Sequence, residues 1–381
     1  MRLISLIALT SLLSALQGIL PTAAPAAGRL KVNGSLELRE TYDTNVFLLR
    51  RGMVDDFITT IHPALNFSYR GNRINFDAEN SAIFFLYGGN SELDDQFFDQ
   101  RSLLEYKLGP RLSIEAENLY TSVRETIGKP SDLSSNLVQS DSWDVGPVYR
   151  TALGSRSRGE FRASYGRTMY FNAGVDSGEL PEFGDARASI YLDRDLSERI
   201  LVYTSQEFTR RDFSDRGDLG FSGVLSQFGL RWRFGRRFSL DLSGGYNWLS
   251  FDDLGNEGGS FVDTALHYTP NFRTSISTAY TQLFTTDIFG NVFRQNRLSI
   301  AMDRNISART LLKFNSFISF FDQAGTVSPD NKYLGGNLRF EHKVRRRLTF
   351  LADVGWRQNG GSLNIDDYED LRTTVGLRYE F

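Results

Sequence analysis

Apolar and polar side chains alternate along most of this chain, and this two-residue period constrains the fold more than any other feature. The segment 371–381 is the clearest case. One alternate set is Leu371, Thr373, Val375, Leu377, Tyr379 and Phe381, and the other is Arg372, Thr374, Gly376, Arg378 and Glu380. Successive side chains of a strand point to opposite faces, so the pattern predicts a β-strand that is apolar on one face and polar on the other.

The same alternation predicts an all-β chain of about eighteen strands, with sixteen as the nearest alternative. The predicted strands are 31–42, 57–70, 74–86, 97–108, 111–121, 142–151, 158–171, 185–196, 199–210, 221–234, 238–251, 261–269, 272–285, 292–303, 308–321, 332–343, 348–357 and 368–381.

The connections between these segments alternate in length. Links after even-numbered strands are short, as at 71–72 and 235–237, whereas links after odd-numbered strands are longer, as over 124–139, 172–184, 211–220, 252–259 and 322–331. Short periplasmic turns and longer extracellular loops are typical of outer-membrane barrels. An even number of strands then places both ends of the barrel at the periplasmic side.

The first residues are typical of a secretory signal: a basic start at Met1-Arg2, an apolar run over 3–13 and an Ala/Pro-rich stretch over 21–27. Ala24-Pro25-Ala26 fits a small-x-small cleavage site, so we predict a signal peptide over 1–26 and a barrel domain over 27–381. A membrane-anchoring helix is the alternative, but the apolar run is shorter than the ~20 residues that span a bilayer. The chain has no cysteine, so no disulfide contributes to its stability.

Composition agrees with a membrane barrel, and the signal peptide together with the final strand disfavours a soluble β-sandwich or propeller. The mean hydropathy of −0.31 looks soluble, but alternation averages away the apolar signal of barrel strands. The chain contains 30 Phe, 16 Tyr and 34 Gly, and aromatic residues recur near predicted strand ends, where interfacial girdles form. These positions are Tyr42, Tyr69, Tyr106, Tyr149, Trp232, Phe234, Phe238, Trp248, Phe284 and Tyr379. The net charge of −3 argues against a nucleic-acid partner.

Many charged residues fall on the face opposite the apolar one, which in an up-and-down transmembrane barrel of this size is the wall of a water-filled lumen. We predict the following pore-lining residues: Arg73, Asp77, Glu79, Arg231, Arg233, Arg309, Arg339 and Arg357. They are either solvated wall groups paired across strands or a polar path for a hydrophilic solute. The near balance of signs argues against strong ion selectivity.

The sequence carries no catalytic pattern. Its histidines are His62, His267 and His342. Parity, meaning the odd or even position of a residue in its strand, places the side chains of His62 and His267 inward and that of His342 outward. No G-x-S-x-G motif or metal-ligand spacing accompanies them. The acidic pairs 252–253 and 366–367 fall in predicted loops, where carboxylates are solvated or bind divalent ions that bridge lipopolysaccharide. We therefore predict no enzyme activity, no metal and no cofactor.

The final strand resembles the terminal strand of bacterial outer-membrane barrels, and its Tyr379 and Phe381 are predicted to form the signal for the barrel-assembly machinery. From Glu40 to Phe47 (ETYDTNVF), and on through Asp55 to Thr59, Pro63, Leu65, Tyr69 and Gly71, the chain resembles the β-barrel porin 2 type family. Thr44 stands where members often place Asp before the Asn. This family includes barrels associated with PEP-CTERM and exopolysaccharide systems.

The resemblance implies an outer-membrane channel through which a secreted polysaccharide leaves the cell, working with periplasmic polysaccharide-export proteins and surrounded by lipid and lipopolysaccharide. A general diffusion porin for small hydrophilic solutes and a structural or adhesive barrel are the alternatives. The resemblance assigns no catalytic residue.

Overall fold

The computed structural model describes residues 28–124, 137–171, 182–214, 220–252, 255–286, 292–323, 331–361 and 367–381. The predicted signal peptide lies outside these residues, and its cleavage stays a prediction. Within the described residues no helix is long and apolar enough to cross a membrane. Among these described residues, one short 3₁₀ helix, Ser91–Leu93, is the only helical element.

The strands are β1 (Arg29–Asp43), β2 (Asp56–Arg70), β3 (Ile74–Tyr87), β4 (Asp95–Lys107), β5 (Leu112–Arg124), β6 (Leu137–Ala152), β7 (Ser157–Phe171), β8 (Phe183–Asp195), β9 (Ile200–Phe213), β10 (Phe221–Phe234), β11 (Phe238–Phe251), β12 (Gly255–Asn271), β13 (Thr274–Thr286), β14 (Val292–Asn305), β15 (Thr310–Gln323), β16 (Asn331–Arg345), β17 (Leu348–Gly361) and β18 (Tyr368–Glu380).

These strands form one 18-stranded sheet in which each strand pairs with its sequence neighbours and β1 pairs with β18. The closing pair is antiparallel, with Leu38 opposite Leu377 and Asp43 opposite Arg372. The sheet is therefore a closed up-and-down barrel without a free edge. This confirms the predicted architecture, and eighteen strands rather than sixteen is the correct count.

The two faces of the wall follow the predicted alternation. In β1, Leu36 and Leu38 are 47% and 50% exposed, whereas Glu37 between them is 5% exposed. Apolar side chains point outward, as the hydrocarbon interior of a membrane requires, and polar side chains point into the lumen. This is the inverse of a soluble protein, and it explains why so many large apolar side chains are exposed.

The predicted strand boundaries are close to the observed ones, but the link at 252–259 is wrong. The structure continues β12 from Gly255, so that Asn256 pairs with Ser250 and Gly259 with Asn247. Backbone hydrogen bonding can extend a hairpin beyond the membrane although the side chains no longer alternate. The connection between β11 and β12 therefore shrinks to 252–254.

The outer aromatic residues lie near strand ends, with one exception. Tyr42 and Phe57 contact each other with ring centroids 5.1 Å apart, and Phe238 stacks on Tyr268 at 4.3 Å. Phe284, which was predicted for a girdle, is instead 6% exposed and packs with Phe221, Leu249 and Phe251. The partners from β10 and β11 are lumen-facing, so Phe284 belongs to an apolar cluster rather than to the interface with lipid.

Candidate transport lumen

The structure places the predicted pore-lining residues in separate parts of the barrel. Asp77, Glu79, Arg231, Arg233, Arg339 and Arg357 lie on the lumen face of β3, β10, β16 and β17. Arg73 and Arg309 instead lie in turns just before β3 and β15, at the rim with the short connections. Their carbonyl groups accept hydrogen bonds from the amides of Lys107 (2.7 Å) and Lys343 (2.8 Å), respectively. The predicted set therefore forms no single cluster.

Most of the lumen members of this set are ion-paired. Arg231 contacts Asp241 (2.9 Å), Arg339 contacts Asp353 (3.1 Å) and Arg357 contacts Asp370 (2.6 Å). The carboxylate of Asp77 accepts from Arg70 at 2.7 Å. The pairing supports the interpretation that cross-strand pairs neutralise the wall. These pairs keep donors and acceptors at the water-filled face while limiting the net charge.

Glu79 and Arg233 differ from the paired residues. Glu79 stands opposite Arg101 in the register of β3 and β4, but the Arg101 guanidinium donates to Glu117 at 2.8 Å. Arg233 donates to the main-chain carbonyl of Glu198 at 3.2 Å. Both side chains are exposed on the lumen face.

A larger charge network, absent from the predicted set, crosses β4 to β7. Arg150 contacts Glu115 (2.7 Å), Glu160 (2.8 Å) and Glu105 (3.7 Å). Arg162 also contacts Glu115, at 2.7 Å. Glu105, Glu115, Arg150 and Arg162 line a groove of about 440 Å³ on the inner wall, together with Arg70, Asp77, Glu117 and Asp144. Five carboxylates and three arginines line this groove, and Arg101 and Lys107 pair with two of the carboxylates, Glu117 and Glu105, so the charges there nearly balance.

A second network lies at the closing seam, near the end of the barrel with the longer loops. The carboxyl groups of Asp43 and Asp370 are fully buried, and Arg372 bridges them at 2.8 and 2.9 Å. Arg357 contacts Asp370 from the neighbouring strand. Buried carboxylates need such cations because desolvation otherwise penalises their charge. The network therefore ties β1, β17 and β18 together inside the barrel.

The segment 44–55, which follows β1, is latched onto β18. The Asn45 side-chain amide donates to the carbonyls of Leu49 (2.8 Å) and Glu369 (2.9 Å), and its carbonyl accepts from the Leu49 amide. Thr44 and Leu371 exchange two further hydrogen bonds. Thr44 and Asn45 belong to the stretch from Glu40 to Phe47 on which the family resemblance rests, which gives these two residues of the motif a structural role.

The latched segment packs against the inner wall. Val46 forms an apolar cluster with Ile58 and Leu93, and Phe85 and Tyr87 pack against it. Ile58, Phe85 and Tyr87 are lumen-facing by the register of β2 and β3. Val46 of the segment 44–55 therefore lies against lumen-facing side chains at the end with the longer loops. Sequence parity could not reveal this, because the segment is not a strand.

Aromatic residues line the same end of the lumen on β8 to β11. Phe183 lies against Phe213, and Phe221 against Phe251, each pair with ring centroids 5.5 Å apart. The Arg211 guanidinium lies 3.9 Å from the centroid of Phe183, and it contacts the buried carboxylate of Asp185 at 2.8 Å. This cation–π contact and the ion pair together hold the Arg211 side chain against the lumen wall at the end with the longer loops.

The histidines and loop carboxylates form no catalytic arrangement in the described part of the chain. His62 stands opposite Glu37 on the lumen face, whereas His342 faces outward and contacts the Thr310 hydroxyl at 2.9 Å. Arg210 hydrogen-bonds to Asp252 and holds the pKa of that carboxyl below its usual range. No group of three or more metal-ligand side chains occurs among the described residues. Asp253 and Asp366 lie outside them.

The residues predicted as the assembly signal lie on the outer face at the closing seam. The rings of Tyr379 and Phe381 stack with centroids 6.4 Å apart. The Phe381 amide donates to the Gly34 carbonyl at 2.9 Å, and the Gly34 amide donates back at 3.1 Å. Whether the assembly machinery reads these side chains stays a prediction.

Several solved structures share the architecture. The outer-membrane protein OpdK from Pseudomonas aeruginosa has a TM-score of 0.52 at 12% identity, covering 92% of this chain and 99% of its own. OccAB4 from Acinetobacter baumannii has a TM-score of 0.51 at 10% identity, covering 94% and 100%. The FrpB iron transporter from Neisseria meningitidis has a TM-score of 0.52 at 10% identity, covering 92% and 82%. Identity this low establishes a common fold only. Among curated proteins none matches the chain.

The closed sheet, the apolar exterior and the charged lumen define a bacterial outer-membrane β-barrel of the porin type. Residues 24–381 match the family described as "Putative beta-barrel porin 2". The chain belongs to this family, as the resemblance at Glu40 to Phe47 indicated.

Proposed function

We propose that the barrel conducts a hydrophilic solute and that this solute is an exopolysaccharide leaving the cell. The observation that carries the proposal is the wall chemistry, in which arginines contact carboxylates at the lumen face, as in Arg231–Asp241 and Arg339–Asp353. Such a wall offers many hydrogen-bond donors and acceptors with little net field. It therefore suits a hydroxyl-rich chain better than a simple ion.

The segment 44–55 gives this channel a constriction at the outer end. Its contacts with Ile58 and Leu93 are apolar, and its latch consists of a few hydrogen bonds to β18. An export channel needs to stay largely closed when no polymer is present, because an open pore of this size would leak small solutes. The latched segment is the part of the described chain best placed for that role.

The proposed partners follow from this function. Outer-membrane lipid and lipopolysaccharide surround the apolar belt, the barrel-assembly machinery inserts the sheet, and periplasmic polysaccharide-export proteins deliver the polymer to the end with the short turns. No nucleic acid, metal or cofactor has a part in the proposal.

Deleting the gene tests the export function directly. Polymer is expected to accumulate in the periplasm and to disappear from the cell surface, and a plasmid copy is expected to restore it. Normal surface polymer in a clean deletion would contradict export by this barrel.

A general diffusion porin for small hydrophilic solutes is the second candidate. OpdK, which shares the fold, has been solved with vanillate, so this architecture can hold a small solute. Planar-bilayer recordings separate the candidates. A diffusion porin gives steady open conductance, whereas an export channel is expected to be closed most of the time.

A further inference from the structure

Two tyrosines on the inner wall form an aromatic surface near the end with the short turns. Tyr191 lies near the end of β8 and Tyr203 near the start of β9, both on the lumen face. Their ring centroids are 5.8 Å apart and their planes are inclined by 32°. Both side chains are half-buried. We call Tyr191 and Tyr203 the tyrosine surface.

A glycine on the neighbouring strand determines how the Tyr203 ring lies. Gly229 of β10 stands directly opposite Tyr203, and a Cβ atom at position 229 would overlap the ring. Because glycine has no side chain, the ring can lie along the wall over the β10 backbone instead of projecting across the lumen. One face of the ring is then packed on the wall, and the other is open to the water of the lumen.

Ion-paired side chains flank the tyrosine surface on both sides. Arg158 contacts Asp193 at 2.8 Å, and Arg231 contacts Asp241 at 2.9 Å. The guanidinium groups are exposed, and a salt bridge uses only part of their donor set, so donors remain for a ligand. The Tyr203 hydroxyl also lies 3.4 Å from Asp241. An aromatic face is thus bordered by both donors and acceptors.

This combination matches the chemistry of a pyranose sugar. One face of a pyranose ring carries apolar C–H groups that can pack on an aromatic ring, and its hydroxyl groups both donate and accept hydrogen bonds. An aromatic carboxylate could also stack there, but it would need a net positive site. Each flanking arginine is already paired, and Asp195 lies 4.0 Å from Arg158, so the site has no excess of positive charge.

We propose that the tyrosine surface is a binding subsite for an uncharged sugar unit of the exported polymer. This proposal rests on the proposed function and names the place where the polymer first contacts the wall. Binding has to be weak and repeated along the lumen, because a tightly held unit would block passage.

The test is a titration of the full-length barrel in detergent with maltose and maltohexaose, in which saturation-transfer NMR measures the binding of each sugar. Native protein is expected to bind maltohexaose. Tyr203→Ala and Gly229→Ala are both expected to weaken binding by about tenfold, the scale of a lost aromatic stack. Gly229→Ala removes no polar group, so it tests the position of the ring alone. Tyr203→Phe keeps the ring and is expected to retain binding.

A control lies on the lipid face, where a Cβ atom at Gly258 would overlap the Tyr246 ring, although Gly258 itself stands opposite Trp248. Tyr246→Ala and Gly258→Ala disturb an aromatic–glycine contact outside the lumen, and they are expected to leave sugar binding unchanged. If the control variants lose maltohexaose binding to the same extent, the loss comes from a damaged barrel, and the subsite is overturned. Absence of sugar binding in native protein, or tighter binding of benzoate than of maltohexaose, would also overturn it.

The outcome is separable from that of the proposed function. Polymer trapped in the deletion strain together with sugar binding insensitive to Tyr203 would remove the subsite and leave export standing. Normal surface polymer in the deletion strain together with Tyr203-dependent binding would remove export and leave a sugar site in a diffusion channel.

Discussion

At the scale of single residues, the aromatic ring of Phe381 depends on Gly34. The two residues pair across the closing seam, and a Cβ atom at position 34 would overlap the Phe381 ring. Glycine is needed here for close approach rather than for backbone freedom, since its φ angle lies outside the left-handed region. The seam on the outer face is therefore sensitive to one added methyl group.

Gly34→Ala is expected to lower the stability of the barrel by about 1–3 kcal/mol, the cost of overpacking a tight contact. The measurement is the temperature at which the folded barrel loses its fast mobility on a detergent gel. Gly109→Ala is the matched control, because a Cβ atom at Gly109 meets no atom within 4 Å. Equal shifts in both variants would show that the Phe381 contact contributes nothing.

Arg150 is the centre of the charge network on β4 to β7, and its removal leaves Glu105, Glu115 and Glu160 without their shared cation. Arg150→Met is expected to raise the preference of the lumen for cations by roughly twofold, since it removes one positive charge from a group of carboxylates and leaves the local charge more negative. Reversal potentials under a salt gradient measure this preference.

Arg167→Met supplies the control for Arg150. Arg167 faces outward and contacts Glu182 at 2.7 Å, so its loss is expected to leave ion selectivity unchanged. An unchanged reversal potential for Arg150→Met in an open channel would mean that the network lies away from the ion path.

Parity predicted which face a residue occupies but not its partners. The lumen positions of Asp77 and Arg231 follow from alternation within a strand. The contacts of Arg150 depend on the register between strands, and no single strand contains that information. Arg73 and Arg309 show the limit of parity, since they lie in turns where the alternation no longer fixes direction.

At the scale of elements, the segment 44–55 is the main departure from a plain hairpin barrel. The Leu48 backbone adopts a left-handed φ of 53°, which is unusual for a branched side chain and marks a tightly held turn. Its neighbour Val46 is buried against the inner wall. The local sequence resembled a family motif, but only the fold shows that Thr44 and Asn45 of this motif hydrogen-bond to β18.

Val46→Ser is expected to loosen this segment, because a hydroxyl replaces apolar contacts with Ile58 and Leu93. Loosening is expected to raise the open probability or the conductance of single channels by roughly twofold. Met53→Ser, in the same segment but 57% exposed, is expected to change neither. If both variants have the same open probability and conductance, the segment 44–55 does not constrict the pore.

At the scale of the whole molecule, strand number and connection pattern were predictable because each depends on local periodicity. The closure of the sheet was predicted from the same alternation, and the register of β1 on β18 required the structure. Thr41 and Thr374 face each other in the lumen at this closure, with their hydroxyl oxygens 2.9 Å apart. The chain has no cysteine that could compete for a new crosslink.

The double variant Thr41→Cys/Thr374→Cys is expected to form an intramolecular disulfide, because directly opposed strand residues lie within reach of one. A crosslink that closes so long a loop stabilises the barrel by up to about 5 kcal/mol. Non-reducing gels show a faster unfolded band that disappears with reductant, and Thr41→Cys alone lacks it. Crosslinked dimers without the intramolecular band would contradict the pairing of β1 with β18 at Thr41 and Thr374.

The ring can be completed only when strands separated by nearly the entire polypeptide come together. Until then β1 and β18 each carry a row of amide and carbonyl groups that hydrocarbon cannot satisfy and that any passing strand could capture. Insertion and closure therefore have to be coupled in time, and a polypeptide lacking β18 is expected to recruit a foreign strand or be degraded.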